Sequence, residues 1–387
     1  MPGFETIGDE EKAAVLEIFE NGDDFYIGAR VKKFQDDFAE FVGVKYTQSY
    51  TSCTAALKGA LRALDLNSGD EIITSCFTYV ATAEGIIEAG GSPVFTEIDN
   101  TYNMDPKDLE SKITDNTRGI IPVHMYGAPA DMSPILDIAK KYNIAVMEDA
   151  AQGFGSKYEG KLSGTLGDLG CFSFDSGKLL NTGEGGMVAT NSHNYYRKVH
   201  EYFDHGHQNN PDFPRGRDTR VKPGFNYRLT EIAGALGIEQ LKKVNFMVQK
   251  QLENKSKIFE SIKNCKKLKF RKFAPSAEET GEALVFSLPT KEDVEALYKK
   301  LVDAGISTKN LPDAYDWHFA GTWNHIIPQY TPKWFNDMLD SEKNDNGTYF
   351  SKSTDLLSRS IAIMIFVYMD DSIISKIAKV INDFDKE

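Results

Sequence analysis

The chain has 387 residues, of which 41% are hydrophobic and 26% are charged, and 44 basic against 57 acidic residues give a net charge of -13. This balance predicts a globular protein with one large and one smaller domain, and it argues against a broad nucleic-acid-binding surface. No apolar stretch reaches the roughly 18 residues of a membrane span, and the first residues lack the pattern of a signal peptide. We therefore expect a cytoplasmic protein.

Strand and helix patterns alternate along the first part of the chain. Strands are predicted at residues 71–74, 93–96, 119–123, 144–147, 170–174 and 187–190. Helices are predicted at residues 54–64, 81–89 and 132–142, and a long helix at about 229–250. Short apolar strands separated by helices predict an α/β fold with a mostly parallel, buried sheet between helices. We assign residues 1–250 to a large domain and residues 251–387 to a smaller C-terminal α/β domain.

Two charged residues follow the ends of predicted strands, where ligands of parallel sheets bind. Lys178 lies on a turn ahead of the glycine-rich run 183–186, and Asp149 follows the strand at 144–147. A lysine in this setting suits a Schiff base to an aldehyde cofactor, and a carboxylate suits the protonated ring nitrogen of pyridoxal 5'-phosphate. Taken alone, a lysine after a strand is more often a solvated surface side chain, and it is the glycine-rich setting of Lys178 that favours the cofactor. The alternative for Asp149 is a helix N-cap ahead of two alanines.

Several neighbouring residues fit the remaining contacts of that cofactor. Gln152 is spaced to reach the ring hydroxyl, and Tyr79 suits stacking on the ring face or simple core packing. The segment 51–54 puts small hydroxyl residues, among them Ser52, at a predicted helix start, where backbone N–H groups favour an anion. Ser173 adds a further hydroxyl. The alternative for this segment is an ordinary helix cap without a ligand.

The histidines and cysteines do not indicate a metal site. His205 and His207 bracket Gly206, but a third ligand at suitable spacing is missing. The four cysteines are scattered without CxxC spacing, which also fits a reducing compartment. His124 suits either a place beside the cofactor or a hydrogen-bonded place in the core.

A series of motifs runs through the first 240 residues: Phe34…Phe41-Val-Gly43, Ser52-Cys-Thr-Ala-Ala-Leu57, Gly69-Asp-Glu71, Pro122-Val-His-Met-Tyr-Gly127, Glu148-Asp-Ala-Ala-Gln152, Ser173…Lys178, Gly183-Glu-Gly-Gly186 and Gly224-Phe-Asn-Tyr-Arg-Leu-Thr230. In these motifs and their order, the chain resembles the DegT/DnrJ/EryC1/StrS family of sugar aminotransferases, which have fold type I and use pyridoxal phosphate.

That resemblance implies a role for each matching residue. Lys178 becomes the catalytic Schiff-base lysine, Asp149 the partner of the ring nitrogen and Gln152 a contact on the ring hydroxyl side. Tyr79 becomes the stacking aromatic ring. Thr54 and Ser173 become phosphate ligands, and Asn226 would reach the phosphate in the neighbouring subunit of a homodimer with shared active sites. The chain departs from the family at Cys53, where glycine is usual.

The resemblance also bears on the reaction. Dehydratase relatives carry histidine where this chain has Lys178, so transamination is favoured over removal of a sugar hydroxyl. The weaker alternatives are such a dehydratase and a non-enzymatic, cofactor-binding regulator.

A narrower resemblance concerns the group of aminotransferases that make 8-amino-3,8-dideoxy-manno-octulosonate, a sugar acid of lipopolysaccharide. It is carried by the opening Met1-Pro-Gly-Phe-Glu5, Phe174-Asp-Ser176, Asp204-His-Gly-His207, Trp317-His318…Trp323-Asn-His325 and Ser358-Arg-Ser-Ile361. It implies an 8-oxo sugar acid as acceptor and glutamate as amino donor; a nucleotide-linked keto-deoxysugar is the alternative acceptor. The candidate side chains for binding substrate carboxylates are Arg30, Arg215, Arg217, Arg220, Lys222 and Arg228.

Overall fold

A seven-stranded sheet organises the first half of the chain in the computed structural model, which describes residues 2–22, 25, 28–311, 315–342 and 349–387. The strands of this sheet are β1 (Tyr46–Tyr50), β2 (Glu71–Ser75), β3 (Ser92–Thr96), β4 (Thr117–Ile121), β5 (Ala145–Asp149), β8 (Leu169–Ser173) and β9 (Gly186–Thr190). Their order in the sheet is β1-β9-β8-β5-β4-β2-β3, and β9 is the one strand that runs opposite to the others. The predicted α/β fold with a mostly parallel sheet is thus confirmed.

Each strand predicted from sequence overlaps an observed one, but the prediction missed β1. This segment reads Tyr-Thr-Gln-Ser-Tyr and lacks an apolar run, because it pairs at the edge of the sheet with β9 alone. Its residues are nevertheless mostly buried, since helices cover them. The α-helices in this first half of the chain are α1 (Pro2–Glu5), α2 (Asp9–Asn21), α3 (Ala29–Val42), α4 (Cys53–Arg62), α5 (Ala81–Glu88), α6 (Pro106–Ser111), α7 (Met132–Tyr142) and α8 (His193–Phe203).

A second, four-stranded antiparallel sheet forms the C-terminal part of the fold. Its order is β10-β12-β14-β13, and its strands are β10 (Lys269–Phe270), β12 (Ala283–Ser287), β13 (Thr308–Asn310) and β14 (Ser360–Met364). The helices here are α10 (Lys291–Asp303), α11 (Tyr315–His318), α12 (Lys333–Glu342), α13 (Ser351–Ser358) and α14 (Asp371–Asp385). A separate apolar cluster of Leu, Ile, Val and Phe side chains lies between this sheet and its helices.

The long helix α9 (Glu231–Ile262) connects the two sheets. Its N-terminal half packs on α2 and α3, while Gln251 donates a 2.7 Å hydrogen bond to the Ile365 carbonyl and Asn254 one of 2.9 Å to that of Phe366. The helix is longer than the predicted 229–250, because it continues into the C-terminal apolar cluster, where Ile258 and Ile262 are buried. The domain boundary at residue 250 falls inside it and stays a prediction.

A small third sheet ties the two halves of the chain together. It contains β6 (Lys157–Tyr158), β7 (Lys161–Leu162) and β11 (Ala277–Glu278), with β11 paired to β6. The segment with α12 and α13 also returns to the large sheet: Trp334 Nε1 donates to Glu71 Oε1 at 2.7 Å. Among the described residues, no helix is long and apolar enough to cross a membrane.

Candidate active site

Lys178 lies on the loop that joins β8 to β9, at the carboxyl end of the parallel strands. The loop is closed at its base by Phe174, whose N–H donates to the Gly185 carbonyl and whose carbonyl accepts from Thr182 N–H, both at 2.9 Å. Inside it, Lys178 N–H donates to the Asp175 carbonyl at 2.9 Å, and the lysine is half-buried. The loop therefore holds Lys178 in a fixed turn at the sheet edge.

Asp149 ends β5 and its carboxylate is 3% exposed. Oδ2 accepts a 2.8 Å hydrogen bond from Thr82 Oγ1, and Oδ1 accepts one of 3.1 Å from Ala151 N–H. No helix begins after Asp149, since residues 151–155 form turns, so the helix N-cap interpretation is wrong. A buried carboxylate with one hydrogen bond per oxygen still has acceptor capacity, and a cationic N–H partner would offset the cost of its burial.

The Cys53 thiol links these two residues electrostatically. Burial and the nearby charge of Asp149 raise its pKa, whereas the charge of Lys178 acts in the opposite direction. Both charged groups thus lie close to the first residue of α4. The Cys53 side chain belongs to the apolar cluster behind the sheet, together with Cys171 and Ala56. Its departure from the glycine of the family therefore fills core space.

The N-terminus of α4 forms the expected anion-binding region. Ser52 is the N-cap residue and accepts a hydrogen bond from Ala55 N–H, while Thr54 is exposed in the first turn. Strand β9 passes so close that a Cβ on Gly186 would lie 2.5 Å from the Ser52 carbonyl oxygen. Gly186 pairs with Ser173 across β8 and β9, so the structure brings Ser52, Thr54 and Ser173 to one place.

Tyr79 lies two residues ahead of α5 and is 42% exposed, so it is not one of the core aromatics. Burial of part of the ring, with the charges of Glu84, Asp175 and Glu184, raises the pKa of its hydroxyl, which places Tyr79 near the Lys178 loop. The Trp317 ring lies parallel to Tyr79 with centroids 6.2 Å apart, and the His318 ring lies 5.4 Å away.

Gln152 follows Asp149 in the turn after β5. Its side-chain oxygen accepts from Tyr126 N–H at 3.3 Å, and its carbonyl accepts from Gly127 N–H at 2.9 Å. Tyr126 has a left-handed backbone, with φ of 50°, a conformation that costs energy outside glycine and often occurs at functional sites. Gln152 is therefore fixed by backbone contacts that leave its amide nitrogen for another partner.

Glu148 and His124 form a structural network on the opposite side of β5. Both are 0% exposed, and His124 Nε2 lies 2.9 Å from Glu148 Oε2. His124 Nδ1 accepts from Ala130 N–H at 3.0 Å, so Nε2 carries the proton and donates it to Glu148. Glu148 also accepts from three backbone N–H groups in the 164–167 turn. Of the two interpretations of His124, the hydrogen-bonded core histidine is the observed one.

Most basic side chains proposed for substrate carboxylates have acidic or histidine partners within this chain. Arg215 and Arg228 both bind Asp204 at 2.6 Å, and Lys222 pairs with Asp65. Arg220 Nη2 lies 2.9 Å from His207 Nε2, and Arg30 pairs with Glu17 at 3.4 Å. Asn226 is exposed and its backbone pairs with that of Asp204. It therefore lies beside this basic group and not on the Lys178 loop. Among the described residues, no His, Cys, Asp and Glu side chains cluster as metal ligands.

Three polar residues of the site were not predicted from sequence. Thr82 contacts Asp149, and Thr78 lies 2.8 Å from Thr82, so the two hydroxyls extend the Asp149 network from α5 to the turn ahead of it. Helical spacing could not have indicated this pair, because Thr78 lies outside the helix. Glu282, ahead of β12, is the third: burial raises its pKa, and the charges of Lys178 and Lys309 lower it.

The residues present fit pyridoxal phosphate. Hydroxyl groups and a helix N-terminus suit its phosphate, a buried carboxylate with spare acceptor capacity suits its ring nitrogen, and a half-buried lysine suits its aldehyde. The space beside Ser52 exists only because Gly186 lacks a side chain.

The comparisons with known proteins show the family to which the chain belongs. The model of the DegT/DnrJ/EryC1/StrS aminotransferase family matches residues 5–382. The chain is 34% identical to the GDP-perosamine synthase of Escherichia coli O157:H7 over 308 residues, which cover 79% of this chain and 80% of that protein. It is 30% identical to the spore coat polysaccharide biosynthesis protein SpsC of Bacillus subtilis, covering 98% and 95%.

A solved structure shows the same fold over the whole length. PseC of Helicobacter pylori, an aminotransferase involved in the biosynthesis of pseudoaminic acid, superposes with a TM-score of 0.84 at 25% identity, covering 98% of this chain and 97% of that one. The chain therefore belongs to the DegT/DnrJ/EryC1/StrS family and is a sugar aminotransferase that uses pyridoxal phosphate.

Proposed function

We propose that this enzyme transfers the amino group of glutamate to an 8-oxo sugar acid, giving 8-amino-3,8-dideoxy-manno-octulosonate for lipopolysaccharide. The proposal places the reaction in the cytoplasm, in a homodimer with shared active sites. The observation that carries the chemistry is that the buried Asp149 ends β5 while Lys178 lies on the loop after β8, the strand that pairs with β5 through Asp149 and Cys171.

When bound, pyridoxal phosphate supplies the electron sink that lets a carbon next to the transferred amine lose its proton. In this proposal Nζ of Lys178 first holds the cofactor and, once released by the incoming amine, removes that proton from the α carbon of glutamate. In the second half of the reaction it returns a proton to the sugar carbon that receives the nitrogen. The backbone hydrogen bonds of the 174–185 loop fix the backbone from which the Lys178 side chain would reach the cofactor.

Asp149 would keep the ring nitrogen protonated, which would strengthen the electron sink in both halves of the reaction. Thr82 and Ala151 orient its carboxylate. Ser52, Thr54 and Ser173 would hold the phosphate, Tyr79 would cover one ring face and Gln152 would meet the ring hydroxyl. Asn226 is exposed and so is available to the phosphate in the second subunit of the dimer.

A sugar acid as acceptor is supported by the positions of the motifs that the chain shares with the aminotransferases making 8-amino-3,8-dideoxy-manno-octulosonate. The N-terminal residues contact Lys178, because Gly3 N–H donates to its carbonyl at 3.1 Å. The 174–176 run begins the Lys178 loop, and Trp317 and His318 pack on Tyr79. Three separated segments of that resemblance therefore converge on one site, as expected if they recognise one substrate.

A nucleotide-linked keto-deoxysugar is the second candidate acceptor. It is favoured by the 34% identity to a protein named GDP-perosamine synthase, since that name describes a nucleotide-linked amino sugar. The two acceptors differ in their charged groups: the sugar acid carries a carboxylate, whereas the nucleotide sugar carries a diphosphate and a base.

The test is a two-stage measurement with purified enzyme and pyridoxal phosphate. Glutamate alone should convert the visible absorption band of the lysine-bound cofactor to the band of its amino form. The Lys178→Ala variant should show no lysine-bound band and no such conversion. The converted enzyme is then offered the 8-oxo sugar acid or a GDP-linked 4-keto-6-deoxy sugar. Recovery of the original band by the sugar acid alone supports the proposal; recovery by the GDP sugar alone selects the second candidate. A wild-type band that glutamate leaves unchanged excludes glutamate as the donor.

A further inference from the structure

The first helix of the chain lies against the backbone of Lys178. In α1 (Pro2–Glu5), Gly3 N–H donates a 3.1 Å hydrogen bond to the Lys178 carbonyl. This contact joins residues 175 positions apart in sequence, and it satisfies a carbonyl on an irregular loop. The N-terminal segment is thus part of the wall that holds the Lys178 loop.

The contact leaves no room for a side chain at position 3. A Cβ on Gly3 would lie 2.7 Å from Asn181 Cβ, 2.9 Å from Asn181 N and 2.9 Å from the Leu179 carbonyl oxygen. Two of these three atoms are backbone, which cannot move aside by changing a rotamer. A larger residue would therefore push apart the N-terminal segment and the 178–181 backbone.

The other side of the N-terminal segment is anchored to the long helix α9. Thr6 is 7% exposed, and its hydroxyl lies 3.3 Å from the Gly3 carbonyl and accepts from Gln240 Nε2 at 3.3 Å. Lys243 Nζ donates to the Thr6 carbonyl at 2.8 Å. Because α9 runs through the middle of the fold, these contacts connect the Lys178 loop to a rigid element.

We propose that residues 3–6 form a positioning brace for Lys178, connecting its backbone to α9. The brace keeps Nζ aligned with the reacting carbon, and its residues do not themselves touch the reacting atoms. This inference rests on the proposed role of Lys178. It gives a function to the opening motif Met1-Pro-Gly-Phe-Glu5, which has no role in the chemistry proposed for Asp149 or for the phosphate site.

The test compares Gly3→Ala with Gly8→Ala in the full-length enzyme. Gly8 belongs to the same segment, but a Cβ there meets nothing nearer than the flexible Glu10 carboxylate at 3.3 Å. Three quantities are measured: the dissociation constant of pyridoxal phosphate, the midpoint pH of the visible band of the lysine-bound cofactor, and the melting temperature of the apo-protein. The band reports on the surroundings of Lys178 even when no substrate turns over.

We expect Gly3→Ala to raise the dissociation constant by about tenfold, the order that follows from displacing one backbone hydrogen bond next to a positioned group, and to shift the midpoint pH. Gly8→Ala should match the wild type in both. Equal values for Gly3→Ala and wild type would overturn the brace while leaving the aminotransferase proposal intact. A wild-type enzyme without a lysine-bound band would overturn both.

A second pair of variants covers the case in which Gly3→Ala does not fold. Thr6→Val keeps the size of the side chain but removes the hydroxyl that joins Gly3 to Gln240, whereas Thr6→Ser keeps the hydroxyl. The brace predicts a shifted midpoint pH in Thr6→Val and its recovery in Thr6→Ser. A melting temperature that falls in Thr6→Val with an unchanged midpoint pH and dissociation constant would show a purely structural role and overturn the proposal.

Discussion

The hydroxyl of Thr82 donates a 2.8 Å hydrogen bond to Oδ2 of Asp149, and both side chains are buried. Thr78 lies 2.8 Å from the same hydroxyl. Since Thr82 gives its proton to Asp149, it accepts the proton of Thr78, so the chain of donors points toward the carboxylate. The first turn of α5 thereby fixes the orientation of a charged group on a neighbouring strand.

This relationship predicts the effect of removing one hydroxyl. Thr82→Val keeps the shape of the side chain but leaves Oδ2 of Asp149 without its donor. We expect kcat/KM to fall by about tenfold, because a hydrogen bond to a charged group contributes about 1.5–3 kcal/mol. Thr82→Ser should retain most of the activity. Steady-state kinetics of the two variants provide the measurement, and equal loss in both would show that the methyl group matters instead.

Neutralising Asp149 should have a larger effect. Asp149→Asn preserves volume but removes the charge that would pair with the ring nitrogen, so we expect a loss in kcat of about a hundredfold or more. Asp168→Asn is a matched control, because Asp168 also accepts a backbone hydrogen bond, from Val146 N–H at 2.9 Å, at the other end of the strands. Single-turnover absorbance with glutamate separates the two. Full activity of Asp149→Asn would contradict the assigned role.

Glu148, next to Asp149 in sequence, should affect stability instead. Its two oxygens accept from Gly164, Leu166 and Gly167 N–H and from His124 Nε2. In Glu148→Gln an amide NH2 must face donors in a fully buried site, so we expect the free energy of unfolding to fall by about 2–4 kcal/mol. Urea denaturation measures this. The exposed Glu110→Gln variant should be indistinguishable from wild type, and an unchanged stability of Glu148→Gln would refute the structural assignment.

The ion pairs of Asp204 should make stability depend on pH. Burial opposes ionisation of this carboxyl, but the hydrogen bonds and charges of Arg215 and Arg228 outweigh it, so its pKa lies below the ordinary 3.8. A lowered folded-state pKa stabilises the fold above 3.8 and loses that contribution as the pH falls through the lower value. We expect Asp204→Asn to be less stable than wild type at pH 7.

The difference between these two proteins should shrink as the pH falls below 3.8. Denaturant unfolding at a series of pH values measures it, with the exposed Asp212→Asn variant as a control that should show no such difference. A gap between wild type and Asp204→Asn that stays constant down to the lowest pH would mean that folding does not lower the pKa of Asp204.

Much of the central sheet and of its site could be predicted from the sequence, because both depend on local sequence patterns. Buried parallel strands require apolar runs, and Lys178 and Asp149 follow such runs directly. Strand β1 escaped detection because its burial comes from helices and from pairing with β9, which lies about 140 residues further on and leaves no local signal.

The contacts that orient the site could not be predicted in the same way. The charge of Lys178 lowers the pKa of Glu282 against the effect of burial, although the two residues are far apart in sequence, so this relationship depends on tertiary packing. The hydrogen bond between Gly3 and Lys178 likewise depends on tertiary packing. His124 was undecided from sequence, since a core histidine and a cofactor contact have the same sequence signal, and only the pairing with Glu148 distinguishes them.

The pairing of β11 with β6 has a consequence for recombination between relatives. Residues 277–278 form a strand with residues 157–158, and Thr280 N–H donates to the Gly127 carbonyl at 2.8 Å, where a Cβ on Gly127 would collide with the Thr280 hydroxyl. A chimera that exchanges only the C-terminal sheet would bring a foreign strand to this junction. The two halves of the chain are therefore not interchangeable modules, and an exchange of acceptor specificity has to carry the 124–128 and 155–160 turns with it.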